Sequence, residues 1–261
     1  MIRVGVFGAG GRMGTTVCRA VVDDPELELA AAVDPFHAGL DLRQVIGLDV
    51  PLQMAADGEA MVAAGVDVAV DFTQLEASRA NLEWLADHGI HAVVGTSGFT
   101  PDDLDRFASV FTRSNCVIAP NFAIGAVLMM RFAEMAAPYF DTAEIIELHH
   151  DRKIDAPSGT AMATAQRMGE ASSQWAADPT TDFTVAGARG AQGVAGIPIH
   201  SVRLRGLVAH QEVLLGTTGQ TLTIRHDSYD RSSFMPGVVL AVKRVAAAPG
   251  VTVGLDALLD I

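Results

Sequence analysis

The stretch Ile2-Arg3-Val4-Gly5-Val6-Phe7-Gly8-Ala9-Gly10-Gly11-Arg12-Met13-Gly14 decides the fold. Its first residues read as a short apolar strand, and the glycines that follow read as a tight turn into a helix expected over Arg12 to Asp23. Val17, Ala20 and Val21 give that helix an apolar side. Leu27 to Val33 reads as the next strand, ending at Asp34, and Gly14 and Asp34 are 20 positions apart. Strand, glycine turn, helix, strand and acid, in that order, make the first half of a dinucleotide-binding unit. In such a unit the glycines let the backbone approach a pyrophosphate seated on the helix N-terminus, and the acid hydrogen-bonds the adenosine ribose. Met13 stands where the plain G-x-G-x-x-G would place its third glycine; Gly8, Gly11 and Gly14 spell G-x-x-G-x-x-G instead. A glycine turn alone also fits an ordinary strand-to-helix connection, so the reading rests on the whole string.

Asp34 is followed by Pro35, which bears on cofactor choice. A carboxylate at the strand end repels a 2′-phosphate, and proline supplies no cation to offset it. The nearest basic side chains in sequence are Arg12 and His37. NADH is therefore expected to bind at least as well as NADPH, with Arg12 leaving dual use open.

Strands and helices then alternate as in an open parallel sheet. Strands are expected over Val66 to Asp71, His91 to Gly95 and Cys116 to Ala119. Helices are expected from Leu75 to His88 and from Pro101-Asp102-Asp103 onward. Ligands bind such sheets at the carboxyl ends of the strands. Gly95-Thr96-Ser97 and Ala119-Pro120-Asn121-Phe122 are thus candidate walls for the nicotinamide half of a cofactor, or else plain turns.

The second half reads differently. A long apolar helix is expected from Ala123 to about Phe140, its Met129, Met130 and Met135 filling core. Thr142 to His149 alternates as a strand with Ile145, Glu147 and His149 on one face. Ser158-Gly159-Thr160 opens a helix that runs towards Trp175. Further strands are expected at Ile197 to Arg205, Ala209 to Leu215 and Thr221 to Ser228. The fold class is an α/β Rossmann-type dinucleotide-binding domain with a second, α+β domain built on a mixed four-stranded sheet. The expected boundaries are 1–121, 122–230 and a C-terminal segment, 231–261, that returns to the first domain with a helix from about Ser233 to Ala248.

Glu147 to Thr160 (Glu-Leu-His-His-Asp-Arg-Lys-Ile-Asp-Ala-Pro-Ser-Gly-Thr) carries the chemistry. Imidazole exchanges protons near neutral pH, lysine is a point cation for a carboxylate, and a helix N-terminus attracts the same anion. The segment is built to hold an acidic small molecule and protonate it. Metal ligation by His149, His150, Asp151 or Asp155 is the weaker alternative, because neighbours on a strand point to opposite sides and no further ligand has metal-type spacing. A structural histidine pair is the other.

The chain has 261 residues, 49% of them hydrophobic, enough for two domains. Its net charge of −13 argues against a nucleic-acid partner. Cys18 and Cys116 lie in apolar segments and are expected as buried thiols. No apolar run of about 18 residues occurs and no basic, apolar leader pattern opens the chain, so a cytoplasmic protein off the membrane is expected.

Gly8 to Gly14, Gly95 to Thr100, Ala119 to Phe122 and the His-His-x-x-Lys-x-Asp-Ala-Pro-Ser-Gly-Thr string together resemble the 4-hydroxy-tetrahydrodipicolinate (dihydrodipicolinate) reductase family, over nearly the whole chain. The resemblance implies reduction of a cyclic dicarboxylate with NADH or NADPH, and a homotetramer formed through the second domain's sheet. It implies that His149 is the proton donor/acceptor and Lys153 the second catalytic cation. His150, Ser158, Gly159 and Thr160 would hold the substrate. The cofactor would lie on Gly8, Ala9, Gly10, Gly11, Arg12, Met13, Asp34, Gly95, Thr96, Ser97, Ala119, Pro120, Asn121 and Phe122; no metal is implied. Many relatives carry Arg where this chain has Pro35, which sets aside a strong NADPH preference. A closing hinge is expected near Asn121 and near Asp230-Arg231. Two other readings are a different NAD(P)-dependent reductase of amino-acid metabolism and a non-catalytic nucleotide sensor. The first, in its phosphorylating aldehyde form, needs a reactive cysteine in a polar turn, and the second has no use for the His-His-x-x-Lys segment.

Overall fold

Short runs of Val, Ala and Ile, each stopped by a glycine, an acid or a helix cap, set the strands of the first unit. The structure, a computed structural model, describes residues 1–259. β1 (Ile2–Phe7) turns at the glycines into α1 (Arg12–Asp23), which buries Gly14, Val17, Cys18 and Val21, a helical stripe. β2 (Leu27–Val33) follows. Two short helices, α2 (Leu42–Ile46) and α3 (Glu59–Ala63), then fill a connection in which the sequence reading expected no elements. The rhythm resumes with β3 (Val68–Asp71), α4 (Leu75–His88), β4 (His91–Val94), α5 (Pro101–Val110) and β5 (Cys116–Ile118). Thr100 and Asp103 cap α5 reciprocally, Asp103 N–H donating to Thr100 Oγ1 at 3.2 Å and Thr100 N–H to Asp103 Oδ2 at 2.8 Å.

The second unit spans Ala123–Asp230. It contains α6 (Ile124–Ala136), β6 (Thr142–His149), α7 (Gly159–Ala171), β7 (Ala191–Gln192), β8 (Pro198–Arg203), β9 (Ala209–Thr217) and β10 (Gln220–Ser228). Its sheet runs β10-β9-β6-β8-β7, parallel between β6 and β8 and antiparallel elsewhere. The sheet is mixed, as expected, but has five strands where four were expected. The addition is a two-residue edge strand with no apolar alternation to announce it. Gly190 and Gly193 allow it to sit close: a Cβ would fall 2.5 Å from Ile199 O at one and 2.6 Å from Ile197 O at the other. Ala143, Ile145 and Glu147 of β6 with Val213 and Leu215 of β9 are buried on the face that α6 and α7 cover. Two helices are shorter than expected. α6 gives way to a 3₁₀ turn at Ala137–Tyr139, around Pro138, and α7 stops at Ala171.

The segment from Arg231 belongs to the first unit with Met1–Phe122. Its α8 (Met235–Arg244) is flanked by 3₁₀ turns at Arg231–Phe234 and Val245–Ala247, so the expected single helix is broken at both ends. Lys243 Nζ pairs with Asp24 Oδ2 and Glu26 Oε1, both at 2.9 Å, fastening α8 next to the end of α1. β11 (Val251–Val253) then adds a sixth, parallel strand beside β5, giving the order β11-β5-β4-β3-β1-β2. Central β3 is buried along its whole length, as a parallel sheet covered on both faces requires. Among the described residues no helix is long and apolar enough to cross a membrane.

Candidate active site

In the first unit the glycine turn is closed by Gly11 N–H donating to Gly8 O at 2.9 Å, with Gly8 at φ +65°, a conformation that favours glycine. A Cβ on Gly14 would lie 2.1 Å from Gly8 O, so α1 can approach the turn only with glycine there. The α1 N-terminus has no side-chain cap and no acid in its first turn, which leaves its partial positive charge to an anion. Asp34, buried at the end of β2, accepts from Gly10 N–H at 3.0 Å through Oδ2 and from Phe36 N–H at 3.0 Å through Oδ1. His37 Nδ1 lies 3.2 Å from Asp34 Oδ1. Anion cradle and acid stand on neighbouring strands, so these residues fit a dinucleotide.

The other cofactor candidates also lie where parallel strands end. Gly95 N–H donates to Asp71 O at 2.9 Å, and Ala119 N–H to Val94 O at 3.0 Å. A Cβ on Gly95 would fall 1.9 Å from the Phe72 ring, which tilts against Phe122 at 5.5 Å between centroids. Ala9, Ala119 and Phe122 are buried, whereas Arg12, Ser97 and Pro120 are exposed. Phe72 and Thr73 were not singled out from the sequence. Yet Thr73 accepts the Thr96 hydroxyl at 3.0 Å through its carbonyl, and its methyl lies 3.1 Å from where a Gly8 Cβ would point. Phe72 and Thr73 follow β3 as the other candidate turns follow their strands, and that position was the available signal.

In the second unit β6 delivers Glu147 and His149 to the sheet end where α7 begins. Glu147 is fully buried, and its Oε2 lies 2.6 Å from His149 Nδ1. Arg203 grips the same carboxylate with two nitrogens, Nη1 to Oε2 and Nη2 to Oε1, both at 2.8 Å. Ser158 N–H donates to Glu147 Oε1 at 3.2 Å, while Ser158 Oγ caps α7 by accepting from Ala161 N–H at 3.2 Å. Ser158 is therefore occupied in building the helix start that Gly159 and Thr160 continue. Lys153 Nζ pairs with Asp155 Oδ2 at 2.7 Å, and His150 Nδ1 accepts from Arg152 N–H at 3.2 Å.

Burial pushes the Glu147 carboxyl up, but Arg203, Ser201 and His149 outweigh it and hold the group below its ordinary value. Burial lowers the His149 imidazole; Glu147 opposes that, and the positive charges of Lys153 and Arg203 add to it. The arrangement is an oriented imidazole beside an ammonium and a helix N-terminus, suited to giving a proton to an anionic small molecule. Arg203 was missed because a lone arginine in a strand signals nothing; its meaning comes from the parallel register that sets it opposite His149. Cys18 and Cys116 are free, buried thiols, Cys18 pushed up to about 12 by burial, which makes neither a nucleophile. Among the described residues no group of three or more His, Cys, Asp or Glu side chains is placed to hold a metal.

Comparison with known proteins places these features in one family. The model described as "Dihydrodipicolinate reductase, N-terminus" matches residues 2–122, and that described as "Dihydrodipicolinate reductase, C-terminus" matches residues 125–259. A 4-hydroxy-tetrahydrodipicolinate reductase of Mycobacterium marinum is 50% identical over 264 residues, covering 100% of each chain. A solved dihydrodipicolinate reductase from Paenisporosarcina sp. TG-14, bound to dipicolinate, superposes with a TM-score of 0.86 at 41% identity, covering 98% of this chain and 99% of that one. An amine dehydrogenase from Mycobacterium smegmatis superposes at 0.66 with 15% identity over 96% of this chain and 94% of its own, a likeness of fold alone. The chain thus belongs to the dihydrodipicolinate reductase family, oxidoreductases of lysine and diaminopimelate biosynthesis that work with a nicotinamide cofactor.

Proposed function

We propose that this chain reduces 4-hydroxy-tetrahydrodipicolinate to tetrahydrodipicolinate with NADH or NADPH, NADH serving at least as well; the 4-hydroxyl and a proton from the neighbouring ring carbon leave as water, and one hydride and one proton are then added. The observation that carries the reading is the 2.6 Å contact from His149 Nδ1 to buried Glu147, with Lys153 and the start of α7 on the same connecting segment. The bound dinucleotide supplies the hydride. His149 holds the proton to be added at the neighbouring ring carbon; with Nδ1 committed to Glu147, Nε2 is the nitrogen that exchanges it. Lys153 and the backbone of Gly159 and Thr160 grip a ring carboxylate, and His150 completes the substrate contacts. These fixed cations stabilise charge that builds on the ring during reduction.

The glycine turn from Gly8 to Met13 would hold the pyrophosphate and Asp34 the adenosine ribose. Gly95, Thr96, Ser97 and Ala119 to Phe122 would face the nicotinamide half. Asp34, with no cation directly after it, supports use of NADH. Two buried thiols suit a reducing cytoplasm. Half-buried Ile146, Leu148 and Leu214, on the sheet face away from α6 and α7, support a homotetramer built through that sheet.

The deciding experiment supplies the product of dihydrodipicolinate synthase and follows loss of NADH or NADPH absorbance in parallel reactions. Turnover with NADH equal to or above that with NADPH is expected. No oxidation of either nicotinamide would reject the function, and a large excess of NADPH turnover would reject the cofactor reading alone.

A further inference from the structure

We propose that Glu147, clamped by Arg203, is the positioning residue for the reaction: one buried carboxylate locks both the His149 ring and the first turn of α7 in register. The inference rests on His149 being the proton donor proposed above, and it names the group that sets the donor's tautomer and charge.

Three observations meet on this carboxylate. Its Oε2 takes His149 Nδ1 at 2.6 Å, and its Oε1 takes Ser158 N–H at 3.2 Å. Both oxygens take the Arg203 fork at 2.8 Å. Arg203 then closes the loop, Nη2 donating to Asp155 O at 2.7 Å. The imidazole, the Lys153–Asp155 segment and the helix start are thus all tied to a single ion pair. The guanidinium offsets the cost of holding this fully buried carboxylate ionised, and without it the His149 imidazolium is the remaining counter-charge. A carboxylate on Nδ1 fixes the tautomer and stabilises the imidazolium.

The charged groups facing His149 are Glu147 from β6, Lys153 from the following loop and Arg203 from β8; β9 places Ala209 opposite it. Removing the anion and removing the guanidinium should therefore move its titration in opposite directions. A merely structural pair would weaken folding in both cases and move neither.

The test combines kcat–pH profiles with the ¹⁵N imidazole spectrum of His149 in E147Q, R203M, R203K and the E147Q/R203M pair. In E147Q, kcat should fall at least about tenfold with NADH affinity unchanged. Its alkaline limb should shift to lower pH, and the ring should lose its preference for Nδ1–H. In R203M the limb should shift to higher pH, and R203K should return it towards wild type. Should E147Q fail to fold, the double variant, which removes both charges together, carries the test with the same loss of tautomer preference and reduced kcat. An E147Q or double variant with the wild-type limb and tautomer would overturn the proposal, as would coincident limbs in R203M and R203K. A wild-type kcat in H149Q would instead overturn the underlying assignment of the proton donor, leaving the spectrum of E147Q to judge Glu147 by itself.

Discussion

Lys153 Nζ stands 2.7 Å from Asp155 Oδ2, so the ammonium proposed to grip the substrate already has a carboxylate partner. That carboxylate is 60% exposed, and the ammonium holds it below its ordinary value. A substrate carboxylate must compete with it. Exposed ion pairs of this kind are weak, because solvent screens them. Asp155→Asn should therefore lower KM for the dicarboxylate by up to about fivefold at nearly constant kcat, read by steady-state kinetics. A higher KM would mean that Asp155 orients Lys153 instead of competing for its partner. Lys153→Ala should act the other way, lowering kcat/KM by roughly 10- to 150-fold, the range of a lost charged hydrogen bond.

His149→Gln keeps a polar side chain at the end of β6 but cannot carry a proton near neutral pH. Its kcat should fall by roughly 10²-fold or more. NADH affinity, measured by fluorescence titration, should not change, because the proposed dinucleotide contacts are all made by the first unit. Near-normal turnover would remove His149 from the mechanism.

The two halves were unequally legible in the sequence. α1, β2, α4 and β6 fall on their expected residues because each is bounded by a local signal: a glycine turn, a proline, a polar cap or a strict alternation. β7 and β11 are bounded by glycines but are too short to show the alternation that marks a strand. They are two and three residues long and exist only because a partner strand is already in place. The same holds for the site. His149 and Lys153 announce themselves by residue type within one short segment, whereas Arg203 gains its role from β6–β8 pairing, a contact between residues 56 positions apart. Glu147 was placed on the right face by alternation, but its burial depends on α7 covering that face.

Asp34 also serves the apoprotein, since it accepts the N–H groups of Gly10 and Phe36. Asp34→Ala removes the proposed ribose acceptor and, with it, a charge that repels a 2′-phosphate. NADH should bind about 10- to 100-fold more weakly, with a smaller loss or a gain for NADPH. Dissociation constants for both nucleotides check this. Equal losses would mean that the residue only supports the turn.

Gly95→Ala tests the wall beside it. The new Cβ would need the space of the Phe72 ring, 1.9 Å away, and that ring in turn rests on Phe122. Overpacking of this kind costs about 1–3 kcal/mol. Tm should fall and NADH affinity should drop with it, and a second change, Phe72→Leu, should restore both in part. If Phe72→Leu restores Tm but not affinity, Gly95 itself approaches the nucleotide.

Stability should fall as the medium is acidified, beginning with histidines. Burial lowers His91, His149 and His226 from the ordinary 6.5. His91 Nδ1 also accepts from Asn115 N–H at 2.9 Å, so protonation there would set a donor against a donor. The folded chain thus binds fewer protons than the unfolded chain once the pH drops below about 6.5, and stability is lost through that window. Glu144 and Glu147 act with the same sign further down. Both are held below the ordinary 4.5 because their Arg and His partners outweigh burial, so their contribution is present above 4.5 and disappears as they protonate. Tm measured by calorimetry should be level from about pH 8 to 7, decline below about 6.5 and steepen below about 4.5. His91→Gln should flatten the first decline and leave the second unchanged. A Tm constant down to about pH 5 would show that these imidazoles protonate without disturbing the fold.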